Sequence, residues 1–384
     1  MHTLPSVPTI RRLLSACMTS TGPDKILLDA VKAKVEGDDR NHDKYATLGF
    51  DAMSLTEALR YHEHVDRIVG YEDVGSFGRT IKVANQGLIA VLRSIGGNWK
   101  LPIAYYLIRD APSQERFSAI INECLRAAES VGVVVKVLTC DQEKTQWAAL
   151  CSMGVSVNNP LILNPSTRES IFVVPDPPHC LKNTRNALMK NDILFAKGKF
   201  ARWEDVERLW YLENRGQLRL APKLTAAHLE LPPGANMKVK LAAQILSFTC
   251  AAAIRAYVRL GEMSEQALNT AEFMERANLA FDCCNGTSPN APEQKAAITT
   301  KNMLAKVSVM RASAEWIGQW RFFSRKTKTE NKRHSFNVGW QVALRAMTMA
   351  SPLLLKVGLP FVPLRRLGQD HIENIFSLVR GRNG

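Results

Sequence analysis

Three carboxylates set far apart in the chain could do chemistry together. Asp51 lies near the end of the short apolar run Tyr45–Met53, Asp141 follows the β-branched run Val131–Thr139, and Glu373 sits beside the apolar face of a C-terminal helix. A carboxylate at the edge of a core is costly unless a partner or a metal meets it. If Tyr45–Asp51 is the central strand of an open sheet, the strand ends carrying Asp51 and Asp141 are neighbours, and a terminal helix can bring Glu373 over the same edge. Three converging acids repel one another, and the local sequence offers no cations to offset them. A divalent ion resolves the repulsion, with Mg²⁺ preferred because its hard charge suits oxygen ligands. Two such ions activate a nucleophile and stabilise a leaving oxygen in phosphodiester chemistry. Each acid also has a plainer reading. Asp141 alone reads first as a helix cap, Glu373 alone as a solvated helix position, and Asp51 alone as either a turn residue or a ligand.

The charge of the chain agrees with such a substrate. Its 384 residues carry a net charge of +14 and a pI near 9.5, which favours a polyanionic partner, nucleic acid first and an acidic membrane surface second. The eight cysteines, Cys17, Cys124, Cys140, Cys151, Cys180, Cys250, Cys283 and Cys284, form no CxxC pair, and no His pair has zinc-finger spacing. A structural zinc site is therefore not expected, and scattered cysteines in apolar runs read as reduced core residues of an intracellular protein. No signal peptide is read at Met1–Met18, and no apolar run reads as long enough to span a bilayer.

The elements that must position these acids fall into two kinds. Helices are expected at Val7–Met18 and Pro23–Val35, followed by a polar linker over Gly37–Asn41. Strands are expected at Tyr45–Asp51, Gly87–Ile95 and Ile103–Arg109, with Pro102 just ahead of the last and a short extended segment at Val65–Tyr71. Then follow a helix at Gln114–Ser130, the buried strand Val131–Thr139, a helix at Gln142–Met153 closed by Gly154, and a strand at Glu169–Val174. Asp176 is placed to cap a basic helix bearing Lys182, Arg185 and Lys190, with His179 in its first turn; a metal role for Asp176 and His179 is the lesser reading. Strand, strand, strand, then strand–helix alternation, predicts an α/β fold: a mixed sheet flanked by helices. From Lys190 to about Arg345 the pattern is helical throughout, with a long helix over Lys238–Leu260 and another over Thr270–Phe281. Arg365–Arg380 reads as the helix that carries Glu373.

These segments carry a resemblance. Gly49-Phe50-Asp51-Ala52-Met53, Ile68-Val69-Gly70-Tyr71, Thr139-Cys140-Asp141-Gln142, Asp176–Asn186, Met237–Ser247 and Leu367–Phe376 resemble the P element transposase family, with its THAP-type cellular relatives. The Gln369-Asp370-x-x-Glu373-Asn374 core is the most specific of them, and the likeness covers most of the chain. The resemblance implies an RNase H-like DDE domain interrupted by a large all-α insertion. Its domains are then 1–44, an N-terminal helical segment; 45–190, the first part of the RNase H-like domain; 191–345, the insertion; and 346–384, the final part with the Glu helix. It also implies catalytic and metal-binding roles for Asp51, Asp141 and Glu373, a two-metal Mg²⁺ site, GTP as a cofactor of the insertion, DNA as partner, homo-oligomers on DNA and a nuclear location. No G-x-x-x-x-G-K-[ST] loop is present, so GTP rests on the resemblance alone. The chain departs from the family in lacking the THAP zinc-ligand pattern, in Gly368 and Ile375 where relatives carry Asn and Phe, and in stopping at Gly384, which reads as a truncated form.

The expected function is DNA cleavage and strand transfer by a DDE transposase. The alternatives are a plain metal-dependent nuclease and a catalytically inactive, element-derived protein that binds DNA or protein. Lys182, Arg185, Arg325, Lys326, Lys328, Lys332 and Arg333 are the candidate nucleic-acid contacts. Of these, the helix cations are expected on a solvated basic face, and the compact run Arg325–His334 suits phosphate contact as well as it suits an ordinary exposed loop.

Overall fold

The computed structural model describes residues 20–37, 42–63, 66–215, 219–232, 234–372 and 375–376. The helix expected at Val7–Met18 and most of the linker 37–41 lie outside the described residues.

The chain enters through a two-residue strand β1 (Gly22–Pro23) and helix α1 (Lys25–Glu36), whose start is fixed by Asp24 accepting from the amides of Ile26 and Leu27. Pro23 therefore lies before the helix and not in its first turn. Strands β2 (Tyr45–Ser54), β7 (Gln86–Ser94) and β8 (Lys100–Ile108) form an antiparallel meander, with the short strands β3 (Arg60–His62), β4 (Arg67–Val69), β5 (Tyr71–Asp73) and β6 (Arg79–Val83) between the first two. Pro102 falls inside β8, opposite Val91, where the register shifts. Such an irregularity tolerates a residue that cannot donate to the ladder. Helix α2 (Gln114–Ser130), capped by Ser113, then leads to β9 (Val134–Cys140), helix α3 (Lys144–Ser152), strands β10 (Leu161–Leu163) and β11 (Ser170–Pro175), and helix α4 (Pro177–Lys190). The sheet order is β10-β11-β9-β2-β7-β8-β5-β6, with β1 paired to β8. Strands β2, β9 and β11 are parallel to one another. β9, at the centre of that trio, is buried along most of its length, which is why its sequence runs Val-Val-Lys-Val-Leu without clean alternation.

One face of the sheet is packed by α2. Its stripe Phe117, Ile120, Ile121, Cys124, Leu125 and Ala128 is buried against Ala46, Leu48 and Phe50 of β2. On the other face α4 lies beneath the long helix α11 (Ser335–Lys356), where the Trp340 indole donates to Thr184 Oγ1 at 3.1 Å.

Between α4 and α11 lies the insertion. It is chiefly helical: α5 (Trp203–Arg215), α6 (Ala226–Leu229), α7 (Val239–Ile245), α8 (Phe248–Arg259), α9 (Ala267–Cys284) and α10 (Met303–Gly318). Against the expectation of an all-α segment, it also contains a four-stranded antiparallel sheet. β12 (Asn191–Ala196) pairs with β13 (Lys199–Ala201) and with β14 (Arg321–Ser324), which pairs with β15 (Glu330–Asn331). The single helix expected over Lys238–Leu260 is two, because Ser247 leaves helical geometry and accepts from the Cys250 amide at 3.2 Å to start α8. Residues Val239–Arg259 are apolar and long enough to cross a membrane by length and composition alone. In the fold they are broken at Leu246–Ser247, and Ala242, Ile245, Leu246, Ala251 and Ile254 are core residues. The boundary expected at 345/346 falls in the middle of α11, a continuous helix that packs on α10 of the insertion and on β11 and α4 of the sheet domain.

Candidate functional site

Three parallel strands run in register, with the ends of β9 and β11 level with Phe50 inside β2. Phe50 of β2 pairs with Cys140 of β9, and Cys140 pairs with Pro175 of β11. The next residue on each is an aspartate: Asp51, Asp141 and Asp176. Adjacent strands lie about 4.8 Å apart, so the register sets Asp51 and Asp141 side by side, both half-buried. β2 continues past Asp51 to Ser54, so Asp51 is inside the strand and not at its end. Asp141 does not cap α3; Glu143 does, accepting from the amides of Thr145 (2.9 Å) and Gln146 (3.1 Å). Asp141 Oδ1 accepts from the Glu143 amide at 3.1 Å, and Asp51 Oδ1 from the Ala52 amide at 2.8 Å. The concentration of negative charge is registered by Cys140 between them. Burial first, and then the carboxylates of Asp141, Asp176, Asp51 and Glu143, push its thiol well above the ordinary range.

Asp176 is held differently. It caps α4 through Oδ2, which accepts from the His179 amide at 3.2 Å, and its Oδ1 accepts from the Gln369 amide at 2.9 Å. Both oxygens are thus engaged, and Asp176 is the cap of α4 that the sequence suggests. Gln369 in turn donates from Nε2 to the Phe50 carbonyl at 2.6 Å, one residue before Asp51. Upstream, the Arg366 carbonyl accepts from Thr47 Oγ1 at 3.1 Å, and Arg366 Nη1 donates to the carbonyls of Ile95 and Gly97. Downstream, Ile372 and Phe376 pack with Val91, Ile89 and Met53. Residues 364–372 therefore cross β2 on the face carrying Thr47, Gly49, Asp51 and Met53, opposite the face buried by α2. His371, buried on this crossing, is pushed down to about 3 by burial and then by Arg93, so it is neutral. Glu373 follows directly and lies outside the described residues. Among the described residues, no three His, Cys, Asp or Glu side chains form a group that could hold a metal ion.

Comparison with known proteins follows the same lines. Residues 19–154 match the family model described as TNP-like, RNase H N-terminal domain, and residues 178–297 the model described as TNP-like, GTP-binding insertion domain. Over 392 residues the chain is 25% identical to the Transposable element P transposase of Drosophila melanogaster, covering 99% of this chain and 48% of that protein. The chain is similar to P element transposase over nearly its whole length. It spans about half the length of that curated relative. Its fold matches the structure titled Drosophila P element transposase strand transfer complex with a TM-score of 0.82 at 23% identity, over 99% of this chain and 81% of that one.

In this chain the motif Gln369-Asp370-x-x-Glu373 has a visible structural part: Gln369 bridges Asp176 and the β2 backbone. Sequence spacing pointed to Gln369 only as part of that motif and did not reveal its two contacts. The expected nucleic-acid contacts do not form one set. Lys182 and Arg185 are buried, not solvated, because α4 is covered by the insertion and α11 as well as by the sheet; Arg185 Nη2 donates to the Asn236 carbonyl at 3.1 Å. Arg325 pairs with Glu204 (3.3 Å) and Glu207 (3.2 Å), Lys328 pairs with Asp192 (3.1 Å), and Arg333 donates to the Gly318 carbonyl. Lys326 and Lys332 are exposed. The seven described cysteines are free thiols, and all but Cys151 are buried.

Proposed function

We propose that this chain is a P element-type DNA transposase, in which Asp51, Asp141 and Glu373 hold divalent metal for cleavage and strand transfer. The observation that carries the reading is the level register of Phe50, Cys140 and Pro175, which sets Asp51 beside Asp141 under the segment that leads into Glu373. The donors suit the ion: carboxylate oxygens on adjacent strands, with no soft ligand among them. Bound there, Mg²⁺ would supply the charge that lowers the pKa of an attacking water and offsets charge on the leaving oxygen. The chain's own part is to fix the two aspartates through backbone amides and to hold the Glu373 segment against β2 through Gln369, Thr47 and Arg366. In the reaction one DNA phosphodiester is hydrolysed to leave a 3′-hydroxyl, which then attacks a target phosphodiester, breaking one P–O bond as it forms another. GTP binding by the insertion, assembly of several copies on DNA and action in the nucleus belong to the same reading, supported by the curated relative and by the match at 178–297.

A nicking and end-joining assay on DNA with Mg²⁺ tests it. Asp51→Asn, Asp141→Asn and Glu373→Gln are each expected to lower cleavage about a hundredfold or more, the loss of several kcal/mol of charge stabilisation. Cleavage that survives these substitutions sinks the metal triad. Folded wild-type chain that binds DNA and never cuts it identifies the inactive, element-derived alternative, and cutting without end joining identifies a plain nuclease.

A further inference from the structure

Three arginines from two distant parts of the chain meet in one cleft of about 330 Å³. Arg93 comes from β7, Arg365 and Arg366 from the crossing segment, and Thr287, Asp370 and His371 line the same space. Their commitments differ. Arg366 is engaged with the carbonyls of Ile95 and Gly97. Arg365 is exposed and pairs with Asp370, the acid on the cleft wall, at 2.5 Å. Arg93 is half-buried and has no hydrogen bond or ion pair within the described residues. Lys100 stands directly opposite it on β8. Burial and then Arg366 push the Arg93 guanidinium below its ordinary range, with Arg365 adding and Asp370 opposing. A partly desolvated cation among other cations is unfavourable, and an anion seated between them removes the cost. Guanidinium groups are suited to bidentate capture of phosphate oxygens.

We propose that this cleft seats a backbone phosphate of the DNA strand that runs to Asp51. The proposal rests on the DNA-transposase reading given above and adds a substrate contact to it. The sheet register supplies the geometry. Asp51 pairs with Ile89 and Thr47 with Arg93 in an unbroken antiparallel ladder, so Asp51 and Arg93 lie on one face of the sheet. They are four residues apart along the strands, roughly 13 Å at about 3.3 Å per residue. That span is on the order of a few nucleotides, within reach of a single DNA strand that passes Asp51. A phosphate held there fixes the register of the strand without reading its sequence.

Binding of the full chain to a short labelled DNA duplex, followed by fluorescence anisotropy over a range of salt, tests this. Arg93→Gln is expected to reduce the steepness of log K against log salt by about 0.7–0.9, the loss of one phosphate contact, and to weaken binding several-fold. Arg365→Gln should act in the same direction, and Arg93→Lys should keep most of the slope because the charge remains. Wild-type slopes in both Gln variants, with thermal melts showing them folded, overturn the proposal. So does competition in which inorganic phosphate or GTP protects the wild type and not Arg93→Gln while the DNA slope is unchanged, since the cleft then takes a free phosphate. Nicking measured on the same proteins separates this from the catalytic reading. A reduced slope in Arg93→Gln supports the phosphate seat even where the wild type cuts nothing, and cutting with an unchanged slope removes the seat and leaves the metal triad standing.

Discussion

Asp176 joins two distant parts of the chain through one carboxylate. It starts α4 and it anchors Gln369, and being fully enclosed it holds its proton to about pH 6, against an ordinary 3.8. Burial is the main cause and Asp370 adds to it, while His179 and the amides of Gln369 and His179 act the other way. The folded chain therefore binds this proton more tightly than the unfolded chain. The associated stability is fully present below about pH 3.8 and is lost as pH rises through about 6. The cost at neutral pH is on the order of 3 kcal/mol at 1.36 kcal/mol per pKa unit. Urea unfolding is expected to show stability contributed by this group falling between pH 4 and 6, and Asp176→Asn should flatten that fall while keeping an oxygen for the Gln369 amide. An unchanged slope in the Asn variant would show that another group titrates there. Asp176 was legible in the sequence as a cap, because Asp-Pro-Pro ahead of a helical pattern is a local signal. Its second bond was not, because Gln369 is 193 residues away.

Among the elements, β2 and the segment crossing it depend on one missing side chain. A Cβ at Gly49 would stand 2.6 Å from Ile372 Cδ1, 3.1 Å from His371 Nε2 and 3.2 Å from Thr139 Cγ2. The close approach favours glycine at this position of the face that residues 364–372 cross. Gly49→Val is expected to lift the segment from β2 and to cost about 1–3 kcal/mol of overpacking. Limited proteolysis should then cut within 364–376 faster than in wild type. If the rate there does not change, the segment is not held by this contact. The long strands β2, β7, β8, β9 and β11 were readable because each is rich in β-branched or apolar residues, whereas the short β3, β6 and β10 were not expected. Nor were the strands of the insertion. β14 is only Arg-Phe-Phe-Ser, at the end of a helical pattern, and its partner β12 lies about 130 residues upstream in the chain, so no local periodicity marks the pair.

At the scale of the whole molecule, the insertion and the sheet domain share a core. It runs from Val137, Phe172 and Val174 of the sheet through Cys180, Leu181 and Leu188 of α4 into Ile254, Phe273 and Trp316 of the insertion. A ligand that binds the insertion should therefore stabilise the chain as one unit. If the insertion binds GTP, nucleotide at about 100 times its dissociation constant should add about 2.7 kcal/mol and raise the melting temperature by several degrees. No rise with GTP, in a chain that still binds DNA, would remove the nucleotide from the proposed function. The sequence by itself determined what local chemistry determines: the cap at Asp176, the apolar stripe of α2, the runs that become β2, β7, β8, β9 and β11, and the basic balance that points to a polyanion. It also named Asp51 and Asp141, since an acid next to a buried run stands out in one dimension. Only the tertiary structure decided that Asp51 and Asp141 follow paired residues of adjacent parallel strands, that α4 is covered on both sides so Lys182 and Arg185 are buried, and that Arg93 meets Arg365 and Arg366. Those facts depend on strand order and register, which are fixed by packing between segments hundreds of residues apart and leave no trace in the spacing of neighbouring residues.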